Sequence, residues 1–359
     1  MLFIQGLGIF STLLDISWLV IGLEKFSVII VRNTLIKVMS IILVLLFVKS
    51  SSDLILYSFI IVSTNIIATA SIWPMMFEFL SFKFSLGYLK NFKPILVLFL
   101  PIVATSLFTQ LDTILVGQLS GFKQVSFYAM ALSIISIPKI LVSSFGSVAM
   151  PHVAKQVNEE ETEHGNDVLV SSVSNFLIFS GIVLVFTSLN ANDIVLFLYG
   201  THFKYSAGPL IILTFMFPFY VIGNIIRTQI LIPQKNDKPY VISILIAALV
   251  NIVGNILLVP KYGAIGGAIA MTLTEFSIFL IEFLFVKKMI FWLMIKKFIL
   301  KYAFSIIFIW AAMYEVQTFG VAHISNILVR LILNILLLLC LIILCFAKEL
   351  KLLGKLIYS

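Results

Sequence analysis

Long apolar runs, broken by short polar or glycine- and proline-bearing turns, make up almost the whole of this 359-residue chain. A helix that crosses hydrocarbon needs about 20 mostly apolar residues. On that rule eleven spans are expected, at 2–20, 34–49, 53–73, 93–117, 126–148, 168–189, 208–232, 239–259, 263–286, 298–314 and 324–346. The breaks between them have turn chemistry: Lys-Ser-Ser-Ser-Asp at 49–53, Ser-Gly at 120–121, Pro-Gln-Lys-Asn-Asp-Lys-Pro at 233–239 and Pro-Lys-Tyr-Gly at 260–263.

Composition fixes the class. Hydrophobic residues make up 61% of the chain and charged residues 11%, against about 25% charged in soluble domains. The expected fold is all-α: a polytopic integral membrane protein with about eleven helices. The net charge of +8 then reads as a topology signal and not as a nucleic-acid surface. Cys340 and Cys345 lie inside the last apolar run and read as small hydrophobes. The N-terminal run carries no cleavable leader pattern. No nucleophile–base pair, Walker-type phosphate loop, haem motif or zinc spacing is found, so the expectation is a non-enzyme with no cofactor or metal. Energy for any transport would then come from ion or potential gradients.

Lysine and arginine are distributed unevenly among the connections. Sixteen follow odd-numbered spans, and only Lys49, Lys123, Lys204 and Lys261 follow even-numbered ones. The positive-inside rule puts the odd connections and the C-terminus in the cytoplasm of a plasma or inner membrane, and the N-terminus of this chain outside. The chain also begins within a few residues of its first span. The expectation from both facts is truncation, with an odd number of N-terminal helices missing.

Several motifs occur in a telling order. Leu14-Asp15-Ile-Ser-Trp18 leads to Gly22, Glu24 and Phe26; Arg32-Asn33-Thr precedes Lys37, and Phe47-Val48-Lys49 precedes Asp53 and Tyr57. Phe99-Leu-Pro101 leads to Leu111-Asp112-Thr-Ile-Leu-Val-Gly117, and Tyr128-Ala-Met-Ala leads to Ile137-Pro138-Lys139 and Pro151. In these residues the chain resembles the polysaccharide transporter (Wzx-like oligosaccharide flippase) branch of the multidrug/oligosaccharidyl-lipid/polysaccharide exporter superfamily. The resemblance is strongest over 11–155. It implies a two-lobe fold of twelve or fourteen helices, of which this chain would begin at the fourth. On that reading 1–92 is a partial N-terminal lobe of three helices and 93–286 a C-terminal lobe of six. Residues 287–359 are then an interfacial segment with two accessory helices. The implied activity is flipping of undecaprenyl-pyrophosphate-linked oligosaccharide repeat units from the cytoplasmic to the outer leaflet. Membrane lipids and, as partners, a polysaccharide polymerase and glycosyltransferases go with it. Alternatives are a drug/cation antiporter of the same superfamily and a truncated, non-transporting remnant.

The physics of that task selects residues. A pyrophosphate crossing hydrocarbon needs polar and cationic groups along its path, with alternating access from rocking of the lobes. Lys139, near mid-span and directly after Pro138, is the leading cationic candidate; the proline loosens the helix beside a cavity. Asp112 costs about 2.5–3.5 kcal/mol in an apolar helix; it reads as a proton or cation site, or as the partner of Lys139. Arg227 reads as a pyrophosphate contact at the inner mouth or as a snorkelling arginine. Glu275 and Glu282 lie seven apart and share a helical face, fit to line a cavity or to support proton coupling. Asp15, Arg32 and Lys37 read as a structural or gating set, with Asp15 paired to Arg32 or Lys37, and Trp18 as an interface anchor. The acidic stretch Glu159–Asp167 with His152 and His164 lacks metal-ligand spacing and reads as solvated. Lys287–Lys297 is expected in the headgroup plane.

Overall fold

A backbone in hydrocarbon must satisfy its own N–H and C=O groups, and helices do this within one segment. Among the described residues the chain is helical throughout, with no strand. The computed structural model describes residues 2–23, 26–77, 99, 103, 106, 110–158, 163–232, 234, 237–286, 291–320, 324 and 326–357. Two compact units result, Met1–Leu89 and Lys90–Ser359.

The first unit holds α1 (Leu2–Leu13), α2 (Ser17–Gly22), α3 (Phe26–Phe47), α4 (Leu54–Ala70) and the short α5 (Trp73–Met76). The first apolar run is therefore broken between α1 and α2. Asp15 sits in the break and accepts the Ser17 backbone N–H at 2.9 Å, which caps α2. The Trp73 indole donates to the Leu14 carbonyl at 2.9 Å, satisfying an acceptor that the break frees. Arg32 spends its guanidinium on the Ala68 carbonyl at 3.0 Å, the Asn33 side chain at 2.7 Å and the Ser17 hydroxyl at 3.5 Å. The pairing of Asp15 with Arg32 or Lys37 is thus corrected. Among the described residues no ion pair joins them, because backbone and neutral groups have taken both side chains. Lys37 and Trp18 are exposed. At the α3–α4 turn Asp53 accepts the Lys49 and Ser50 backbone N–H groups at 3.0 and 2.9 Å. Those bonds, that from Lys49 first, hold its carboxyl below the ordinary carboxylate range.

The first continuous described stretch of the second unit is helical, residues 110–120 (α6). It continues through α7 (Phe122–Asn158), α8 (Glu163–Tyr199), α9 (Ala207–Ile225), α10 (Asp237–Tyr262), α11 (Ala264–Val286), α12 (Phe291–Phe319) and α13 (Ile327–Ile357). α9 is the axis of the unit. Of the span that contains it 61% is buried, against at most 39% for the other spans, and Leu210, Leu213, Met216, Phe217 and Val221 have no exposed surface. α9 packs on α7, α8 and α11. It runs past Pro218 and passes into a six-residue π-turn, Ile226–Leu231, a form that is rare and enriched at functional positions. α10 turns into α11 at Gly263, whose φ of +58° suits glycine. There the Gln124 side chain accepts the Ala264 backbone N–H at 3.1 Å and ties the corner to α7.

α12 and α13 lie against α8 in the same unit, through polar contacts. Tyr302 and Ser180 hydroxyls meet at 2.8 Å, Trp310 donates to Ser188 at 3.1 Å, and Gln317 donates to the Leu189 carbonyl at 3.0 Å. From α13, Asn334 donates to Asn190 at 2.6 Å and Arg330 pairs with Asp193 at 2.6 Å.

Among the described residues eight helical stretches, the first of them running through α1 and α2, are long and apolar enough to cross a membrane, in the positions of eight of the eleven expected spans. The third expected span is the 17-residue α4, and the tenth lies within α12. The fourth falls largely outside the described residues. So do Glu159–Thr162 and 287–290; Phe291, expected in the headgroup plane, already opens α12.

Candidate functional site

Five interior charges of the second unit, Asp112, Lys139, Arg227, Glu275 and Glu282, lie on α6, α7, the turn after α9, and α11. Asp112 on α6 is buried, 1% exposed. Its carboxylate accepts the Tyr128 hydroxyl of α7 at 2.9 Å and the Asn255 amide of α10. That amide also reaches the Asn251 carbonyl at 3.0 Å. Asn251 in turn donates to Thr274 of α11 at 3.1 Å, whose hydroxyl donates to the Ala270 carbonyl at 2.8 Å. One carboxylate thus organises neutral polar side chains from three further helices. A buried anion needs such donors, since burial without partners costs several kcal/mol. Sequence reading missed Tyr128, Asn251, Asn255 and Thr274 as its partners. Asn251 and Asn255, one helical turn apart in an apolar run, were the available signal.

Lys139 does not pair with Asp112, and that expectation is corrected. Its ammonium meets Glu275 at 2.9 Å and lies 4.3 Å from the centre of the Tyr220 ring. Register along α7 is the reason. Tyr128, three turns before Lys139, takes the Asp112 carboxylate, and α11 presents Glu275 at the level of Lys139. Pro138 does not interrupt α7, which runs unbroken from Phe122 to Asn158. The Tyr220 hydroxyl donates to the Lys139 carbonyl at 3.3 Å. Asp112 and Lys139 nevertheless line one cavity of about 260 Å³, with Ser136, Ser143 and Tyr220 beside them and Met216 and Met271 among its apolar walls.

Arg227 lies in the π-turn after α9. It does not snorkel outward: its side chain is 12% exposed and meets the fully buried Glu282 at 3.2 Å. Ser243 of α10 donates to the same carboxylate oxygen at 3.0 Å, and the Tyr240 ring centre is 5.9 Å from the guanidinium. Glu275 and Glu282 do share the inward face of α11, and each faces a cation from another helix. Among the described residues no group of three or more His, Cys, Asp or Glu side chains could hold a metal ion. The site therefore offers two cations, three carboxylates and a set of hydroxyls and amides inside an apolar bundle. That inventory suits holding a charged, hydroxyl-rich ligand away from hydrocarbon.

Two family models match the chain. One, described as polysaccharide biosynthesis protein, covers residues 1–157, and the other, described as MatE, covers residues 98–257. The capsular polysaccharide biosynthesis protein CapF of Staphylococcus aureus is 25% identical over 203 residues, which are 55% of this chain and 51% of CapF. A proposed O-antigen transporter of Shigella dysenteriae is 25% identical over 295 residues, 77% of this chain and 70% of the relative. Among solved structures, lipid II flippase MurJ in an inward closed conformation superposes with a TM-score of 0.68 at 20% identity, over 87% of this chain and 66% of that one. The chain thus spans about half the length of CapF and 66% of MurJ, and the MurJ likeness establishes the fold.

Proposed function

We propose that this chain is a member of the multidrug/oligosaccharidyl-lipid/polysaccharide exporter superfamily, on its polysaccharide biosynthesis side, and that it serves as a flippase for lipid-linked oligosaccharides; the two family models, the 25% identical relatives and the MurJ-like fold support this. The substrate class is an undecaprenyl-pyrophosphate-linked repeat unit, carried from the cytoplasmic to the outer leaflet for surface polysaccharide synthesis. The observation that supports this most directly is the cavity of about 260 Å³ in a membrane-spanning bundle, with Lys139 on its wall. A lysine inside hydrocarbon is costly and needs a reason to be there; a diphosphate supplies one. In this reading Lys139 and Arg227 contact the diphosphate, and Ser136, Ser143 and Tyr220 face the polar headgroup.

The Asp112 cluster is the candidate coupling site. A single buried carboxylate that accepts the Tyr128 hydroxyl and the Asn255 amide, with Asn251 and Thr274 next in the hydrogen-bond chain, can take a proton, or a cation in exchange for these donors. Asp15, Arg32, Lys37 and Pro138 shape helices and turns rather than touch substrate. The lysine and arginine asymmetry supports a cytoplasmic C-terminus, on the side where a glycosyltransferase would deliver substrate; a polymerase would take it up outside.

The test is surface-polysaccharide export by Lys139→Ala and Arg227→Ala variants at unchanged membrane abundance. Both are expected to stop it, and wild-type export in both would overturn the assignment. Drug resistance that depends on Asp112 or Glu275 would point to the antiporter instead.

A further inference from the structure

We propose that Glu275 and Glu282 are resident counter-ions that compete with the substrate: an incoming diphosphate displaces them from Lys139 and Arg227, and by reclaiming these cations they release it. The inference rests on the flippase reading above and adds a role for α11 within it.

Stoichiometry comes first. At rest Lys139 is matched by Glu275 and Arg227 by Glu282, so neither cation stands uncompensated. An anion gains a full counter-charge at either position only by taking the place of a carboxylate.

Geometry makes the exchange feasible. Both carboxylates come from one helix, seven residues or about 10 Å apart. Both contacts are single, one carboxylate oxygen to one nitrogen, and not the two-pronged fork of a tight arginine–carboxylate pair. Lys139 uses one of its three donors and Arg227 one of its five in these contacts, which leaves donors for phosphate oxygens. The second oxygen of Glu282 is buried with no hydrogen-bond partner. Its surroundings depend on a glycine: a Cβ at Gly223 would come within 3.3 Å of that oxygen and 3.7 Å of Arg227.

The cations, in contrast, are steadied by groups that do not leave. Tyr220 lies under Lys139 at 4.3 Å and Tyr240 beside Arg227 at 5.9 Å. When a carboxylate swings away the cation stays in position. A site with permanent, uncompensated cations would hold a diphosphate tightly and release it slowly; a competitor on the same helix restores release.

The experiment is binding of inorganic pyrophosphate to the full chain in lipid nanodiscs, together with export in cells. Glu275→Gln and Glu282→Gln are expected to tighten pyrophosphate binding by roughly tenfold or more, since each frees a cation from its internal partner, and to slow export. Lys139→Ala and Arg227→Ala are expected to weaken binding. Glu275→Asp, which keeps the charge, is expected to return affinity toward wild type and guards against a folding defect in the glutamine variant. Unchanged or weaker binding in both glutamine variants, with Lys139→Ala still weakening it, overturns the competitor role while the flippase reading stands. Equal binding in wild type, Lys139→Ala and Arg227→Ala overturns the flippase site itself, and this inference with it.

Discussion

Arg227→Ala tests how the interior charges are held. The substitution leaves Glu282, which has no exposed surface, with the Ser243 hydroxyl as its remaining donor. At 3.2 Å the lost attraction is about 5 kcal/mol at an effective dielectric constant near 20. Removing one member of a buried pair costs about 3–5 kcal/mol in practice, most of it the stranded charge. At roughly 2–4 °C per kcal/mol, the unit should melt on the order of 10 °C lower. The assay is intrinsic-fluorescence melting of the purified protein in detergent. The double variant Arg227→Ala/Glu282→Gln removes the stranded charge and should recover at least about half of the loss, a coupling above the ~0.5 kcal/mol expected of independent sites. If the single and double variants melt together, Glu282 is not held by Arg227 and the reasoning fails.

Other expectations follow from contacts elsewhere. Asp112→Asn keeps one acceptor oxygen and replaces the other by an N–H, so the Asn255 amide and the Tyr128 hydroxyl can no longer both donate to it. A loss of about 1–3 kcal/mol is expected, with a melting temperature that no longer responds to the coupling ion or proton; an unchanged melt and response would rule the cluster out as a coupling site. Gly263→Ala forces a left-handed residue and drives a Cβ to 2.7 Å from the Gln124 side chain. It should lower the melting temperature by an amount corresponding to at least about 1–2 kcal/mol, and a neutral result would show that the corner adapts. Asp53 has a depressed carboxyl pKa in the fold, so its contribution is present above the ordinary value near 4 and disappears as pH falls through the lower folded value. Amide exchange at Lys49 and Ser50 should therefore quicken only below about pH 4, toward the fast rate expected at every pH of Asp53→Ala, which has no acceptor.

Sequence reading found the helices because hydrocarbon imposes a period and a length on them, and it found the charges because each is conspicuous in an apolar run. It did not find who holds whom. Lys139 and Glu275 are 136 residues apart, and Asp112 and Asn255 are 143; only the packing of α6, α7, α10 and α11 brings them together. Reading outward from Asp112, Lys139 looked like its partner because it is the next interior charge along the chain. The structure satisfies Asp112 with neutral Tyr128 and Asn255 instead, residue types that hydropathy does not flag. Arg32 and Asp15 failed for a related reason. Asp15 accepts the Ser17 backbone N–H at the break between α1 and α2, and Arg32 donates to the Ala68 carbonyl of α4, so neutral groups take the hydrogen bonds of both. The π-turn that carries Arg227 has no sequence signature that we can state.

The seam between α8 and the last two helices has a consequence in time. Ser180, Asn190 and Asp193 enter the membrane early in synthesis, yet their partners Tyr302, Asn334 and Arg330 are made 122 to 144 residues later. For that interval the Asp193 carboxylate of α8 has no guanidinium beside it, while Ser180 and Asn190 donate to the Leu177 and Phe186 carbonyls of their own helix. That carboxylate must hold a proton or water until α13 arrives. Assembly of this unit is therefore completed from its C-terminal end. A nascent chain halted after α11 would hold a carboxylate with no guanidinium to meet it, a state that membrane quality control can read.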